Sequence, residues 1–176
     1  MVLLSLYQPD DSESISLPIA KTILYTHVLH RGLTMGTIIG ALVHPALYPL
    51  RKRQATSQTL PKTNIIPHAF PSFKTYLFSP ALFSTMAKTT YVMTAVIGVA
   101  TTGMMWGKEP IEWQDRAYRL CWNEGQNRVD KGSLAGIAAG VVVGGMKGLR
   151  GHALLGAGGV GSVVGVLGAV AVGKLM

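Results

Sequence analysis

The end of the chain decides the fold, because residues 132–176 read GSLAGIAAGVVVGGMKGLRGHALLGAGGVGSVVGVLGAVAVGKLM. Glycine returns at every fourth position in the first half of this stretch, and a second series of small residues follows at the same interval. The first series is Gly132, Gly136, Gly140, Gly144 and Gly148, and the second is Ala157, Gly161, Gly165, Ala169 and Gly173. Residues four apart share one face of an α-helix, so each series predicts a helix with a bare strip of backbone.

These glycine series favour a membrane over water. In a water-exposed helix each interior glycine costs about 1 kcal/mol relative to alanine. In a bilayer the backbone groups must bond internally, which enforces the helix, and missing side chains let two helices approach closely. The two series, separated only by residues 147–152, therefore predict a tightly packed helical hairpin in a membrane.

The composition agrees with a membrane protein. Hydrophobic residues make up 48% and charged residues 14% of the 176 residues, and the mean hydropathy is +0.33. In a typical soluble domain, charged residues make up about a quarter of the chain. The net charge of +8 does not indicate nucleic-acid binding, because the basic residues form short clusters beside apolar segments. The single cysteine, Cys121, excludes an internal disulfide, and we interpret it as an inert thiol near the membrane surface.

We predict an all-α membrane protein with four transmembrane helices and both termini on the same side. The spans cover about 18–48, 80–106, 132–146 and 153–173 and form one domain, 18–176, after a polar lead at 1–17 that frays in solvent. Several prolines predict an extended basic loop at 49–79. A helix is expected near 109–123, in which Asp115 and Arg119 have the i,i+4 spacing of a supporting ion pair. Glycine packing is predicted at Gly32, Gly36, Gly40, Gly132, Gly136, Gly140, Gly144, Gly161 and Gly165.

Charge sets the expected orientation. The loops after the first and third spans carry basic residues and no acidic residue, so the positive-inside rule places both on the cytoplasmic side or, in a mitochondrion, in the matrix with the termini in the intermembrane space. These basic residues are candidates for binding phospholipid headgroups, with cardiolipin as one candidate lipid. They are Arg51, Lys52, Arg53, Lys147 and Arg150.

The sequence offers little chemistry. His27 and His30 have the i,i+3 spacing of metal ligands, but no third ligand stands nearby and Arg31 would repel a cation. The string GAGGVG at 156–161 fits a dinucleotide-binding pattern but follows no strand, so we interpret it as helix packing. No carboxylate lies inside a predicted span, which disfavours proton transport. We expect no enzyme activity, cofactor, metal or small-molecule substrate.

The chain resembles the mitochondrial inner-membrane translocase family. That family carries an aromatic residue, an arginine, an aspartate, and a small residue with glycine followed by a further glycine four positions on. The matching positions here are Tyr118, Arg128, Asp130, Ala135 with Gly136, and Gly140. Within the family the chain is most similar to the fungal form of the accessory subunits of respiratory complex I, of the alpha subcomplex subunit 11 type.

This resemblance implies a structural component of the membrane arm of NADH:ubiquinone oxidoreductase, in contact with membrane-arm subunits and without redox chemistry. The alternative is a component of an inner-membrane protein translocase or channel, which would need a polar face along a span. A peripheral protein is excluded by the length of the second and fourth spans. From the residues alone, we expect Asp130 or Ser133 to cap the third helix, and Arg128 to neutralise Asp130 or hold a lipid phosphate.

Overall fold

The computed structural model describes residues 9–57, 72–77 and 79–175. Within these ranges the chain is all-α and contains no strand, which confirms the predicted fold class. The helices are α1 (Leu17–Ala46), α2 (Tyr48–Ser57), α3 (Phe73–Leu77), α4 (Pro80–Met104), α5 (Pro110–Trp122), α6 (Glu124–Met146) and α7 (Gly151–Leu175). Four of them, α1, α4, α6 and α7, are long and apolar enough to cross a membrane.

The four long helices run alternately up and down. Helices α1 and α4 pack antiparallel, since Gly32 lies against Thr94 and Gly40 against Met86. Helices α6 and α7 form a second antiparallel pair through Gly132 and Gly165. The start of α1 and the end of α7 therefore lie at one end of the bundle. We call this end, with α5, the acidic end, and the opposite end, with α2, α3 and residues 147–150, the basic end.

Prolines and glycines define where several helices begin and end. Pro18, Pro80 and Pro110 stand in the first turn of α1, α4 and α5, where a missing amide hydrogen has no cost. Gly148, with φ +76°, lies in the connection between α6 and α7. Only glycine adopts this left-handed conformation without strain, so Gly148 permits the tight reversal that brings the two helices together.

The third membrane helix is longer than the predicted span 132–146. Helix α6 begins at Glu124, and the Asn123 side chain accepts a hydrogen bond from the Gln126 amide at 2.9 Å. Asn123 is thus the N-cap, and the expectation that Asp130 or Ser133 caps this helix is wrong. The polar residues 124–131 contain no proline and continue the helix, because asparagine already satisfies the first turn.

The predicted extended loop at 49–79 is wrong where the structure describes it. Helix α2 continues directly after α1, with only Leu47 between them, and α3 precedes α4. The three prolines that argued against a helix are Pro61, Pro67 and Pro71, and they lie outside the described residues. The sequence around α2 contains one proline, Pro49, in its first turn, where a helix tolerates it.

The N-terminal lead does not fray over residues 9–16. The Pro9 carbonyl accepts a hydrogen bond from Trp122 Nε1 at 3.2 Å, and the Ile15 carbonyl accepts one from Gln114 Nε2 at 2.7 Å. Ile15 is fully buried in an apolar cluster with Trp113 and other residues of α1 and α5. Burial of this isoleucine and the two hydrogen bonds to α5 offset part of the entropy cost of ordering the lead.

Helix α5 matches the predicted helix 109–123 and lies across the acidic end. The Glu109 amide donates to the Glu112 carboxylate at 3.1 Å, which ties down the first turn. The predicted i,i+4 pair forms as well, with Arg119 Nη2 at 2.9 Å from Asp115 Oδ2. Because α5 packs on the first half of α1, it holds the start of the first membrane helix in place.

Candidate functional site

A buried carboxylate lies between the first and third membrane helices. Asp130 on α6 is only 4% exposed. Its Oδ1 lies 2.8 Å from Arg31 Nη2 and its Oδ2 lies 3.1 Å from His27 Nδ1. Arg31 and His27 are four residues apart on α1, so they present their side chains on one face toward α6. The Arg31 guanidinium neutralises a carboxylate charge that would otherwise be costly away from water.

Gln126 of α6 also contacts Arg31. In the amide orientation that satisfies both its oxygen and its nitrogen, the Gln126 carbonyl oxygen accepts hydrogen bonds from the Arg31 guanidinium. Asp130 Oδ1 receives no aligned hydrogen bond, so the charge of Arg31 is what stabilises that oxygen. Gln126, Asp130, Arg31 and His27 together form what we call the Asp130 cluster.

The Asp130 cluster joins two helices that are long and apolar enough to cross a membrane. Helix α6 and the candidate span Leu17–Leu50, which includes α1, both contain members of the cluster. Gly132, half a turn beyond Asp130, packs against Gly165 of α7. Helix α7 continues with apolar residues from Gly165 to Val172. The predicted span 132–146 contains no carboxylate, but Asp130 stands in the first part of α6, a helix that begins before this span and is apolar enough to cross a membrane. Ionisable groups in such helices are rare and are usually paired or functional.

Hydroxyl groups continue the polar interior beside the Asp130 cluster. Ser162 on α7 shares one hydrogen bond with Thr34 of α1 at 2.9 Å and another with Ser133 of α6 at 2.6 Å. All three residues are buried, and Ser133 and Ser162 are fully so. These bonds join three different helices at one level. We call them the hydroxyl bridge.

Two further polar contacts lie nearer the basic end. Thr37 and Thr90 share a hydrogen bond at 3.2 Å, and His44 Nδ1 lies 3.0 Å from Thr85 Oγ1. Polar side chains thus follow the inner face of α1 from the Asp130 cluster to its last turn. Such bonds between membrane helices each contribute about 0.6 kcal/mol on average, so they specify which faces meet more than they stabilise the bundle.

The predicted packing glycines lie at the helix crossings. A Cβ added at Gly32 would stand 2.8 Å from Thr94 Cα, and one at Gly132 would stand 2.6 Å from the Gly165 carbonyl oxygen. At Gly136 it would collide with the Gly161 carbonyl, and at Gly140 with that of Ala157. The remaining five are in similar positions. Gly36 and Gly40 face α4, Gly144 faces Ala157, and Gly161 and Gly165 face α6.

The glycines of the GAGGVG string lie inside α7 and serve several contacts. An added Cβ at Gly156 would collide with the Phe83 carbonyl of α4, and one at Gly159 with the Thr37 side chain of α1. Gly161 faces Gly136 of α6. Helix α7 therefore approaches all three other membrane helices closely at its glycine positions. The string is part of a helix and forms no phosphate-binding turn.

The structure does not bring the three motif residues together. Tyr118 packs beside the apolar cluster between α1 and α5, with its ring 6.2 Å from that of Trp122. Arg128 is exposed, and its guanidinium lies against Gly173 near the end of α7. Asp130 belongs to the ion pair with α1. The expectation that Arg128 neutralises Asp130 is wrong, because Arg128 points to α7 and Arg31 takes that role.

The candidate headgroup residues lie at the basic end. Lys147 and Arg150 are exposed in the connection between α6 and α7, and Lys52 and Arg53 are exposed on α2. Arg51 also belongs to α2, but its side chain is outside the described part of the structure. All eight acidic residues of the chain occur at positions 10–13 and 109–130, so the residues of the basic end include no acid.

Sequence reasoning missed the partners of Asp130. The sequence suggested metal binding for His27, a repulsive charge for Arg31 and a helix cap for Ser133, and it offered no partner for Thr34 or Ser162. One signal was available. With alternating spans, Arg31 and Asp130 fall at the same end of the bundle, and opposite charges at the border of two apolar segments favour pairing.

Two titratable groups outside the membrane spans are shifted. Burial raises the pKa of the Cys121 thiol, so this cysteine stays protonated and weakly nucleophilic near neutral pH. The hydrogen bond from Lys108 lowers the pKa of the exposed Glu112 carboxyl, with which it forms a 2.8 Å ion pair.

Metal chemistry finds no geometric support in the described residues. No group of three or more His, Cys, Asp and Glu side chains there is placed to hold a metal ion. His27 contacts a single carboxylate, which Arg31 already occupies. The arrangement is suited to joining helices through paired charges and hydroxyl groups.

Comparison with known proteins assigns the chain to a family. No curated protein and no solved structure gives a significant match. The profile of one family, described as a protein of unknown function (DUF1757), matches residues 5–176, which is nearly the whole chain. Since the match includes all four membrane helices and the Asp130 cluster, the chain belongs to the DUF1757 family.

Proposed function

We propose that the chain is a non-catalytic structural subunit of a large membrane complex, and specifically an accessory subunit of the membrane arm of mitochondrial complex I. The observation that carries the proposal is the direction of the polar groups. In the Asp130 cluster and the hydroxyl bridge they bond to one another between helices, while apolar side chains face outward. This arrangement supports a rigid element of assembly and stability.

The outer surface supports contact with membrane subunits and phospholipids. Large apolar side chains are exposed along the membrane helices, among them Val99 on α4, Met146 on α6 and Leu167 on α7. Trp106, 83% exposed at the end of α4, suits the headgroup region. The resemblance to complex I accessory subunits directs the choice of partner, with the membrane-arm subunits as neighbours.

Native electrophoresis tests this function. Mitochondria containing the tagged chain are solubilised in mild detergent, and the complexes are separated and stained for NADH dehydrogenase activity. We expect the chain to migrate with that activity, and deletion of the chain to reduce the assembled membrane arm. Migration as a free protein, or normal complex I in its absence, would contradict the proposal.

The alternative function, a component of an inner-membrane protein translocase or channel, is favoured by one observation. Polar side chains line the inner face of α1 over more than four turns, from His27 to His44. The same gel separates the two functions, since migration with the import machinery and loss of precursor import would support the alternative. We prefer the structural function because the polar groups bond to each other.

We further propose the inner mitochondrial membrane, with the basic end in the matrix and both termini in the intermembrane space. The charge asymmetry between the two ends supports this orientation. In a Cys121→Ser background, cysteines replacing Arg150 and Lys174 report on the two ends separately. In mitoplasts, an impermeant maleimide should label the cysteine at 174 and spare the one at 150.

A further inference from the structure

A groove of about 710 Å³ opens between α6 and α7 where they meet the start of α4. Its floor is made of small residues, among them Gly140 and Gly144 of α6 and Ala157 of α7. Phe83 and Val164 form part of its walls. The groove lies along membrane-spanning segments, so its open side faces hydrocarbon, and its volume is within the range of pockets that hold small ligands.

One end of this groove carries positive charge. Lys147, the residue after the end of α6, is part of the lining, and Arg150 follows in the same connection. Both side chains are exposed, and neither has a carboxylate partner among the described residues. Residues 147–150 include no acidic residue, so no carboxylate in this connection competes with a phosphate for Lys147 and Arg150.

The dimensions fit one lipid leaflet. The groove follows α6 from Gly136 to Lys147, which are eleven residues apart and therefore about 16 Å along the helix axis. Half of a hydrocarbon core of about 30 Å has nearly the same depth. An acyl chain that enters from the basic end would thus run to the middle of the bilayer along the groove, with its headgroup at Lys147.

A second, larger groove differs from the groove between α6 and α7 in the charge of its lining. It measures about 980 Å³ and lies between α1 and α4, bounded by residues such as Tyr25, Leu29 and Trp106. Among the described residues, no charged side chain lines it. It offers apolar surface to any lipid tail, whereas the groove between α6 and α7 adds a cation at headgroup depth.

We infer that the groove between α6 and α7 binds an anionic phospholipid from the surrounding bilayer, with one acyl chain along the groove and the phosphate at Lys147 and Arg150. The inference uses only the membrane bundle of this chain. It is therefore independent of the proposed role in complex I, and the experiment below can fail without affecting that role.

The purified full-length chain in a neutral detergent is titrated with fluorescently labelled phosphatidylglycerol and, separately, with labelled phosphatidylcholine. We expect phosphatidylglycerol to bind more tightly. Replacing Lys147 with serine should weaken its binding about fivefold, the effect of one lysine at an anionic membrane surface. The matched control is Lys131→Ser, which removes an exposed lysine from the other end of the same helix and should leave binding unchanged.

A second pair of variants tests the groove. Ala139 lines it, and Ala139→Phe should displace part of the acyl chain; loss of as few as two buried methylene groups weakens binding about tenfold. Ala138 is exposed outside the groove, so Ala138→Phe is the control. Equal binding of both lipids, or full binding by Ala139→Phe or Lys147→Ser, would overturn the inference.

Discussion

Arg31 on α1 and Asp130 on α6 form an ion pair at 2.8 Å across the interior of a membrane-spanning bundle. The pair connects the α1–α4 hairpin to the α6–α7 hairpin, each of which is held internally by glycine contacts. Glycine contacts are apolar and tolerate sliding, whereas a charge pair has one position of lowest energy. We infer that Arg31 and Asp130 fix how the two hairpins are placed against each other.

Breaking this pair should be costly. Asp130→Asn leaves the Arg31 charge without its carboxylate, and we expect a loss of about 3 kcal/mol in unfolding free energy. This value is at the lower end for a broken buried pair because Arg31 is partly exposed. Unfolding of the purified chain from mild detergent into denaturing detergent, followed by helical circular dichroism, measures the change.

The double variant Arg31→Met with Asp130→Leu is the matched control for charge. Removing both charges together eliminates the uncompensated ion, so the double variant should recover most of the stability lost by Asp130→Asn. Equal stability of wild type and Asp130→Asn would show that the pair has no role in holding the hairpins together.

The glycine contacts predict a large difference between two positions of α6. At Gly136 an added methyl group would collide with the Gly161 carbonyl, while at Gly145 it would meet nothing within 4 Å. Gly136→Ala should therefore separate α6 from α7 and cost about 2 kcal/mol, in the range for an overpacked contact. Gly145→Ala should be neutral or slightly stabilising, since alanine is the better helix former.

The larger change Gly140→Leu extends this test to assembly. Leucine there would meet the Ala157 backbone, so we expect α6 to be expelled from the hairpin and the amount of assembled complex to fall. Gly168 has open space around it, and Gly168→Leu provides a control in α7. Normal assembly of Gly140→Leu would show that this glycine face is not an interface.

The hydroxyl bridge predicts a smaller effect. Ser162→Ala removes both hydrogen bonds, to Thr34 and to Ser133, and leaves two buried hydroxyl groups with fewer partners. We expect a loss of about 1 to 2 kcal/mol in unfolding free energy, about 0.6 for each bond and up to about 1.7 for the strongest. Thr22→Ala, which loses only an exposed bond to its own helix, should have little effect in the same assay.

Cys121 should react slowly with thiol reagents. Because burial raises its pKa above the ordinary value of 9.0, the thiolate forms only at higher pH than in an unfolded chain. A raised pKa stabilises the folded state below pH 9.0, and this contribution is lost as the pH rises through the shifted value. The rate of iodoacetamide labelling, followed as a function of pH, measures the pKa of Cys121. Arg116→Cys in a Cys121→Ser background is the exposed control on the same helix. Labelling of Cys121 as fast as this control would contradict the prediction.

The amino-acid sequence by itself determined the fold class and the approximate positions of the membrane helices. Long apolar segments must be helical in hydrocarbon, and glycine at every fourth position must form one face, so α1, α4, α6 and α7 follow from local chemistry. The same reasoning gave helix α5 and its Asp115–Arg119 pair, because both depend on residues close in the sequence.

Only the tertiary structure decided which faces meet across the hairpins. Asp130, Arg31 and Ser162 are far apart in the sequence, and nothing local distinguishes a carboxylate that caps a helix from one that pairs with another helix. The start of α6 at Glu124 instead of 132, and the ordered lead at 9–16, depend on the same long-range contacts. Periodicity describes one helix at a time, whereas a buried charge is stable only where a second helix brings its partner.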